Sequence, residues 1–391
     1  MTERTAPTAA EGQPSVPYVP GLADVPAARS SVCFIDGDQG ILEYRGYPIE
    51  ALADKSTFEE TTHLLLWGHL PNKSELEKFS RDLATNRDVR FRLIDLLKAL
   101  PDTGHPMEAL QAAIAALGMF YPDRDPMNPT DRYNSAVRIV AKAPTLVAAY
   151  HRLSHGKDYI PPKEDLSHAE NFLYMLTGDV PEPDVARVMD VCFILHAEHS
   201  MNASTFAGRV TAPTLADPYT VVSSAIGALT GPLHGGANEQ VIHMLQQIGD
   251  VEKVRPYIED LIQRKQKIMG IGHRIYRVKD PRALVLQRLA AQMIAKRGQD
   301  PLLAVAQEVE KVVAEHLAAK KIYPNVDFYS GVVYEAMGMP ASLFTPVFAI
   351  ARVSGWLAHW LEQIEDNRIY RPSQIYTGTH QEPYVPIEER V

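Results

Sequence analysis

The sequence predicts an all-α protein carrying one small β-hairpin near its N-terminus. Three observations lead there. Helix-start signals recur, with Asp217-Pro218, Asp280-Pro281 and Asp300-Pro301 each placing an N-cap acceptor before a proline at the first helical position. Apolar residues recur at helical spacing over most of the chain, as with Leu76, Phe79 and Leu83. Only one pair of β-type runs stands out, Ser31–Asp36 and Ile41–Arg45, joined by Gly37-Asp-Gln-Gly40. The predicted helical share lies far above the usual third.

Taken in order, residues 1–20 are Pro- and Thr-rich with little to bury, which predicts a disordered arm ahead of the hairpin. Ser56-Thr-Phe-Glu59 and Ser74-Glu-Leu-Glu77 have the form of capping boxes, and the first run ends near Gly68 and Pro71. Helices are expected at roughly 88–100, 106–120, 131–153 and 167–177. From Pro183 an apolar run extends past Phe206, predicting an unusually long central helix. Asp217-Pro218 starts a helix stopped at Gly231-Pro232, and another spans about Ala237 to Ile248. Asp280-Pro281, Asp300-Pro301 and Thr345-Pro346 begin the last three. No repeat period is visible. The Gly-Pro break at 231–232 and the irregular Tyr323–Asp327 are hinge candidates. They predict a large domain, 21–232 with 329–391, and a small one, 233–328.

Composition narrows the function. The chain has 391 residues, 46% hydrophobic and 22% charged, as in a globular protein with ample core. A net charge of -9 argues against nucleic-acid binding, which needs a basic field. An anionic ligand must therefore be held by local cation clusters. Two cysteines, Cys33 and Cys192, suit a reducing compartment, and Cys192 in its apolar run is expected to be buried and inert. The N-terminus lacks a secretory apolar region, and no stretch reaches about eighteen apolar residues, so a cytoplasmic protein away from membranes is expected.

The segment Gly270–Arg282 packs His273, Arg274, Arg277, Lys279 and Arg282 beside two glycines. Arg282 falls in the first turn of the helix begun at Asp280-Pro281, where the helix dipole disfavours a cation. A bound anion explains it; a solvated basic loop is the plainer alternative. His234, in Gly231-Pro-Leu-His-Gly-Gly236, is expected beside the amides of the following helix, either at a ligand or filling a helix corner. His196-Ala-Glu-His199 sets two imidazoles three apart within the long helix. Without HExxH or a Cys/His cluster, a core or ligand-contacting histidine is favoured over zinc. Asp327 is a candidate helix N-cap or general base. No acidic residue occurs between Val347 and Leu361, so Arg352 is a buried guanidinium that needs an anion from another element, structural or bound. Arg368 and Arg371 follow it. Gly270-x-Gly272 lacks the third glycine and the preceding strand of a dinucleotide fingerprint, and no P-loop or nucleophile elbow occurs.

Together these stretches resemble the family of citrate synthase and 2-methylcitrate synthase, in its short bacterial and archaeal form, from Gly21 to Tyr384. The resemblance rests on Leu195–Ser204, Gly231–Asn238, Gly270–Tyr276 with Asp280–Arg282, Asn325–Asp327, and Arg352 with Arg371-Pro372. It implies a helical homodimer whose large and small domains close over acetyl-CoA and oxaloacetate. By the same resemblance Asp327 is the base for the acetyl methyl proton, His234 stabilises the enol or enolate, and His273 polarises the oxaloacetate carbonyl. His199, Arg282 and Arg352 would contact oxaloacetate, with Arg371 supplied across the dimer interface. The turn Ile268-Met269-Gly270-Ile271-Gly272 would receive the CoA adenine, and Arg264, Lys267, Arg274 and Arg277 are phosphate candidates. No metal or redox cofactor is implied. Glu198, Ile271 and Arg277 stand where Asp, Phe and Lys are frequent in the family. Three rivals remain: a propionyl-CoA-using 2-methylcitrate synthase, a non-catalytic helical scaffold on the same fold, and, more distantly, a zinc hydrolase built on His196 and His199.

Overall fold

The structure, a computed structural model, describes residues 18–297 and 301–390, without the side chains of 294–297. Most of the chain is helical, as expected. The hairpin pairs β1 (Cys33–Asp36) with β2 (Ile41–Tyr44) antiparallel, Cys33 opposite Tyr44 and Asp36 opposite Ile41. A short β3 (Tyr47–Pro48) extends it. The Asp36 carboxylate closes the turn by accepting from the amides of Asp38 at 3.0 Å and Gln39 at 2.9 Å, the reason aspartate suits this corner.

The first helix, α1 (Ile49–Lys55), is not foreshadowed by a capping signal. Its presence shifts the next boundary. Ser56 ends α1, and Thr57 instead caps α2 (Phe58–Trp67) by accepting from the Glu60 amide; α2 stops at Gly68, φ 81°, as anticipated. The cap of α3 (Lys73–Thr85) is likewise displaced, because Asn72 and Glu75 form the reciprocal box in place of Ser74 and Glu77. The predicted sites are then filled by α4 (Phe91–Ala99), α5 (Pro106–Gly118), α6 (Pro129–Ser154) and α7 (His168–Thr177).

The long central helix is a correction. It is two helices, α8 (Pro183–His196) and α9 (Ala203–Thr211), separated by a turn in which Ser200 takes φ 49°. Two interactions hold the break open. The Tyr44 hydroxyl, brought by β2, donates to the Glu198 carbonyl at 2.8 Å, and Asn202 caps α9 by accepting from the Thr205 amide. The apolar periodicity continues through the break because both helices face one core.

Beyond it come α10 (Pro218–Leu229), capped by Asp217, and α11 (Ala237–Ile248). Then follows α12 (Val251–Gln263), absent from the sequence expectation because Pro256 interrupts its pattern. The last four are α13 (Pro281–Arg297), α14 (Pro301–Leu317), α15 (Val326–Ala336) and α16 (Phe344–Glu365). Asp300, the expected cap of α14, lies outside the described residues. The stretch Ala341–Glu365 is apolar enough to cross a membrane, but 89% of its most apolar window is buried in the protein. Its neighbours are α2, α6, α8, α9 and α10, with Trp356 and Trp360 enclosed. Each such fully buried aromatic contributes about 1.5–3 kcal/mol.

The chain packs as two compact units. One runs from Ser30 to Arg368 and contains every helix named above. The other joins the two ends, residues up to Arg29 and from Ile369 on; within it the Tyr370 hydroxyl donates to the Ala27 carbonyl at 3.2 Å. Of the expected N-terminal arm, residues 1–17 lie outside the described residues, and Pro20–Leu22 form a single 3-10 turn.

Candidate active site

Two segments of the sequence that lie fifty residues apart are zipped together at the site. The Gly272 amide donates to the Tyr323 carbonyl at 2.8 Å, and the Asn325 amide to the Gly270 carbonyl at 3.0 Å. The Asn325 side chain donates to the Gly272 carbonyl at 2.9 Å. Gly270, at φ 72°, is required by space as well as conformation, since a Cβ there would lie 2.6 Å from Val241 Cγ2 and 3.0 Å from Phe328 Cα. The same Asn325 caps α15 by accepting from the Asp327 amide at 3.0 Å. Asp327 is therefore not the cap; it occupies the first turn with its carboxylate unused by the helix. Its Oδ1 is buried without a hydrogen-bond partner. Burial pushes its pKa up to about 6, against the pull of Arg282 and Arg352.

His273 is locked in one tautomer. Its Nδ1 accepts from the backbone amides of Ile275 at 3.0 Å and Tyr276 at 3.2 Å, and a backbone N–H can only donate. The neutral ring thus carries its proton on Nε2. Burial and the charge of Arg282 lower the pKa to about 4, so the imidazole is neutral at neutral pH. His199 stands edge-on to it, ring centroids 5.2 Å apart, with Nε2 3.3 Å from the Tyr276 hydroxyl. Burial holds His199 neutral too. His196 faces elsewhere, onto Phe348 and Tyr334, so the two histidines of the suspected pair belong to different surroundings.

His234 lies in the turn between α10 and α11, but its helix partner differs from the expected one. Nε2 lies 3.3 Å from the Ser204 amide, in the first turn of α9 rather than α11, 2.9 Å from Ser204 Oγ and 3.2 Å from Asn202 Oδ1. These neighbours include a donor, the Ser204 amide, and an acceptor, Asn202 Oδ1, so they do not select one tautomer of the ring. Burial, then Arg352, lowers its pKa to about 4. A neutral imidazole results.

The two anomalous cations are resolved differently. Arg282 forks onto Asp280, the acceptor that starts its own helix, with Nε 3.0 Å from Oδ1 and Nη2 2.7 Å from Oδ2. The expected anion is thus at least partly internal. Burial disfavours the charge, yet Asp280 more than offsets this and keeps the guanidinium charged. Arg352 has no ion-pair partner among the described residues. Its Nε donates to the His196 carbonyl at 2.7 Å, at the negative end of the α8 dipole, and the guanidinium lies over Phe348. Buried Glu198 is the largest favourable charge acting on it. Glu198 is held by His359, whose Nε2 lies 2.9 Å from Oε1, while Arg209 donates to His359 Nδ1 at 2.6 Å. The sequence carries no signal for Tyr44, Arg209 or His359, whose roles depend on partners distant in sequence; Tyr276 and Asn325 lie inside the quoted motifs, but their contacts show only in the fold.

The CoA candidates divide. Ile268 is buried, Met269, Ile271 and Gly272 are half-buried, and Lys267, Arg274 and Arg277 are exposed. Arg264 pairs with Asp260 at 2.9 Å, and Lys279 is engaged by Glu310, Gln287 and Tyr329. Arg371 belongs to the other unit, where it donates to the Pro372 carbonyl at 3.0 Å. His199, His273 and Asp280 offer ligand atoms within 4.8 Å of one another. Asp280, however, is engaged through both oxygens by a buried guanidinium, which would repel a metal dication.

Three comparisons bear on this arrangement. The family profile described as citrate synthase, C-terminal domain, matches residues 21–373. The chain belongs to the citrate synthase family. It is 57% identical over 371 residues to the citrate synthase of Synechocystis sp., covering 95% of this chain and 94% of that one. Within the family, the crystal structure of citrate synthase from Pyrobaculum aerophilum superposes with a TM-score of 0.92 at 42% identity, covering 99% of this chain and 100% of that chain. The Thermoplasma acidophilum citrate synthase, solved with carboxymethyl coenzyme A and oxaloacetate, gives a TM-score of 0.90 at 32% identity, covering 94% and 98%.

Proposed function

We propose that the chain condenses acetyl-CoA with oxaloacetate and hydrolyses citryl-CoA to citrate and CoA. The observation that carries this reading is Asp327, a half-buried carboxylate whose enclosed Oδ1 has no hydrogen-bond partner and which feels the charges of Arg282 and Arg352. Asp327 takes a methyl proton from the thioester, its raised basicity suiting a weak carbon acid. His234, neutral and seated against the start of α9, donates to the thioester oxygen as the enol or enolate forms. The nucleophilic carbon attacks the keto carbon of oxaloacetate, whose oxygen is polarised by a hydrogen bond from His273 Nε2; the proton that completes the new hydroxyl comes from water and is relayed through that ring, which stays neutral. Water then cleaves the citryl thioester. No oxidant or metal is needed for the balance.

Arg282 and Arg352 supply forks for the two carboxylates, with His199 as a further donor, and the Ile268–Gly272 turn with its neighbouring cations receives CoA. The solved relative bound to oxaloacetate and a CoA analogue supports both substrates. We further propose a homodimer in which Arg371 reaches the partner's oxaloacetate, and a small domain, 233–328, that closes on the large one. The two unpaired thiols fit a cytoplasmic setting. Thiol release from acetyl-CoA with oxaloacetate tests the activity, and a propionyl-CoA arm tests the acyl group. Absence of release from both overturns the reading; a clear preference for propionyl-CoA reassigns it to methylcitrate synthesis.

A further inference from the structure

The β1–β2 hairpin has no part in the chemistry above, yet it touches both segments that carry the oxaloacetate histidines. At its β2 end the fully buried Tyr44 hydroxyl donates to the Glu198 carbonyl at 2.8 Å and accepts from the Glu198 amide at 3.2 Å, one residue before His199. At its turn the Gly37 carbonyl accepts from the Arg277 amide at 2.8 Å, four residues after His273. A Cβ on Gly37 would overlap the Ile275 carbonyl oxygen, and one on Gly40 would come within 2.8 Å of Val278 Cγ2. Gly37 is not among the residues of positive φ, so close approach alone excludes a side chain there. Asp36 stiffens the turn through the Asp38 and Gln39 amides.

We propose that this hairpin is a positioning clamp that sets His273 against His199, with Gly37 and Tyr44 as its two contacts. The segment gripped by Gly37 includes Ile275, whose amide, with that of Tyr276, fixes the His273 tautomer. Displacing Ile275 therefore changes both where His273 sits and which nitrogen holds its proton. The hairpin spans the gap as one paired unit, Cys33 to Tyr44 at one end and Asp36 to Ile41 at the other, so the distance it imposes is that of a short, stiff ladder.

The clamp rests on the oxaloacetate reading of the site, and the test separates the two. Gly37→Ala is compared with the parent by thiol release and by the 15N resonances of selectively labelled histidines. Expected are a fall in kcat/KM for oxaloacetate of at least tenfold and a His273 spectrum moved away from the pure Nε2–H pattern, both measured at a temperature where thermal unfolding shows the variant fully folded. Activity within twofold of the parent, or an unchanged His273 spectrum, overturns the clamp. A parent that releases no thiol overturns the oxaloacetate reading instead, while the His273 spectrum still judges the clamp. If Gly37→Ala does not fold, Tyr44→Phe decides by the same criteria, its tenfold loss accompanied by a moved His199 resonance; a loss below twofold or an unmoved His199 overturns the proposal.

Discussion

Arg282 donates through Nε and Nη2 to both carboxylate oxygens of Asp280, two residues earlier, so a helix carries its own counter-charge at the end where its dipole repels a cation. The pair is enclosed, 2% and 0% exposed. Asp280 also accepts from the Arg282 amide at 2.9 Å. Asp280→Asn should therefore strand a buried guanidinium and destabilise the fold by about 3–5 kcal/mol. Urea unfolding measures this, and a loss below about 1 kcal/mol would show that other groups neutralise Arg282.

Asp327→Asn should lower turnover by about 10²–10⁴-fold with little change in melting temperature. The carboxylate makes no hydrogen bond through Oδ1, so the amide replaces it without breaking a contact there. Thiol release and thermal unfolding read the two effects separately. Unchanged turnover excludes Asp327 as the base.

The pH profile follows from three shifts. Asp327 sits at about 6, whereas His234 and His273 sit at about 4. The base must be ionised and both donors neutral, so kcat/KM for acetyl-CoA should fall on the acid side with an apparent pKa near 6. The stability effects have opposite signs. Folding favours protonated Asp327, a contribution present below 3.8 and lost as pH rises through about 6. It also favours neutral His234 and His273, a contribution present above 6.5 and lost as pH falls toward about 4. An acid limb near 4 would assign the rate to the histidines instead.

Arg352→Lys keeps the charge and loses the fork. An ammonium cannot both donate to the His196 carbonyl and present a planar pair of N–H groups to a carboxylate. The KM for oxaloacetate should rise about ten- to a hundredfold, roughly the 1.4–2.8 kcal/mol of a charged hydrogen bond, with a small change in KM for acetyl-CoA. Steady-state kinetics with each substrate varied in turn check it; equal rises in both constants would point to general misfolding of the site.

Arg371→Ala should raise the oxaloacetate requirement by a similar factor. Mixed dimers of Arg371→Ala and Asp327→Asn chains should recover activity in one of their two sites if the arginine acts across the interface. Recovery absent from the mixture would place Arg371 in its own chain's site or in none.

The all-helical class, most helix positions and the chemistry-bearing residues were legible in the sequence, because caps, prolines and apolar spacing are local signals. Where prediction slipped, either a distant residue or a competing local signal intervened. The break at Ala197–Asn202 needs Tyr44 from β2, over 150 residues away, and the displaced caps at Thr57 and Asn72 reflect neighbouring acceptors in competition for one helix start.

Sequence alone thus determined which ionisable groups are present and that Arg282 and Arg352 needed an explanation. Tertiary structure decided what the explanation is: Asp280 for one, the C-terminus of α8 with buried Glu198 for the other. It also decided the state of each group. A tautomer depends on which amide faces a ring nitrogen, and a carboxylate's basicity on how much water is removed, and both are properties of packed surroundings that no linear spacing encodes.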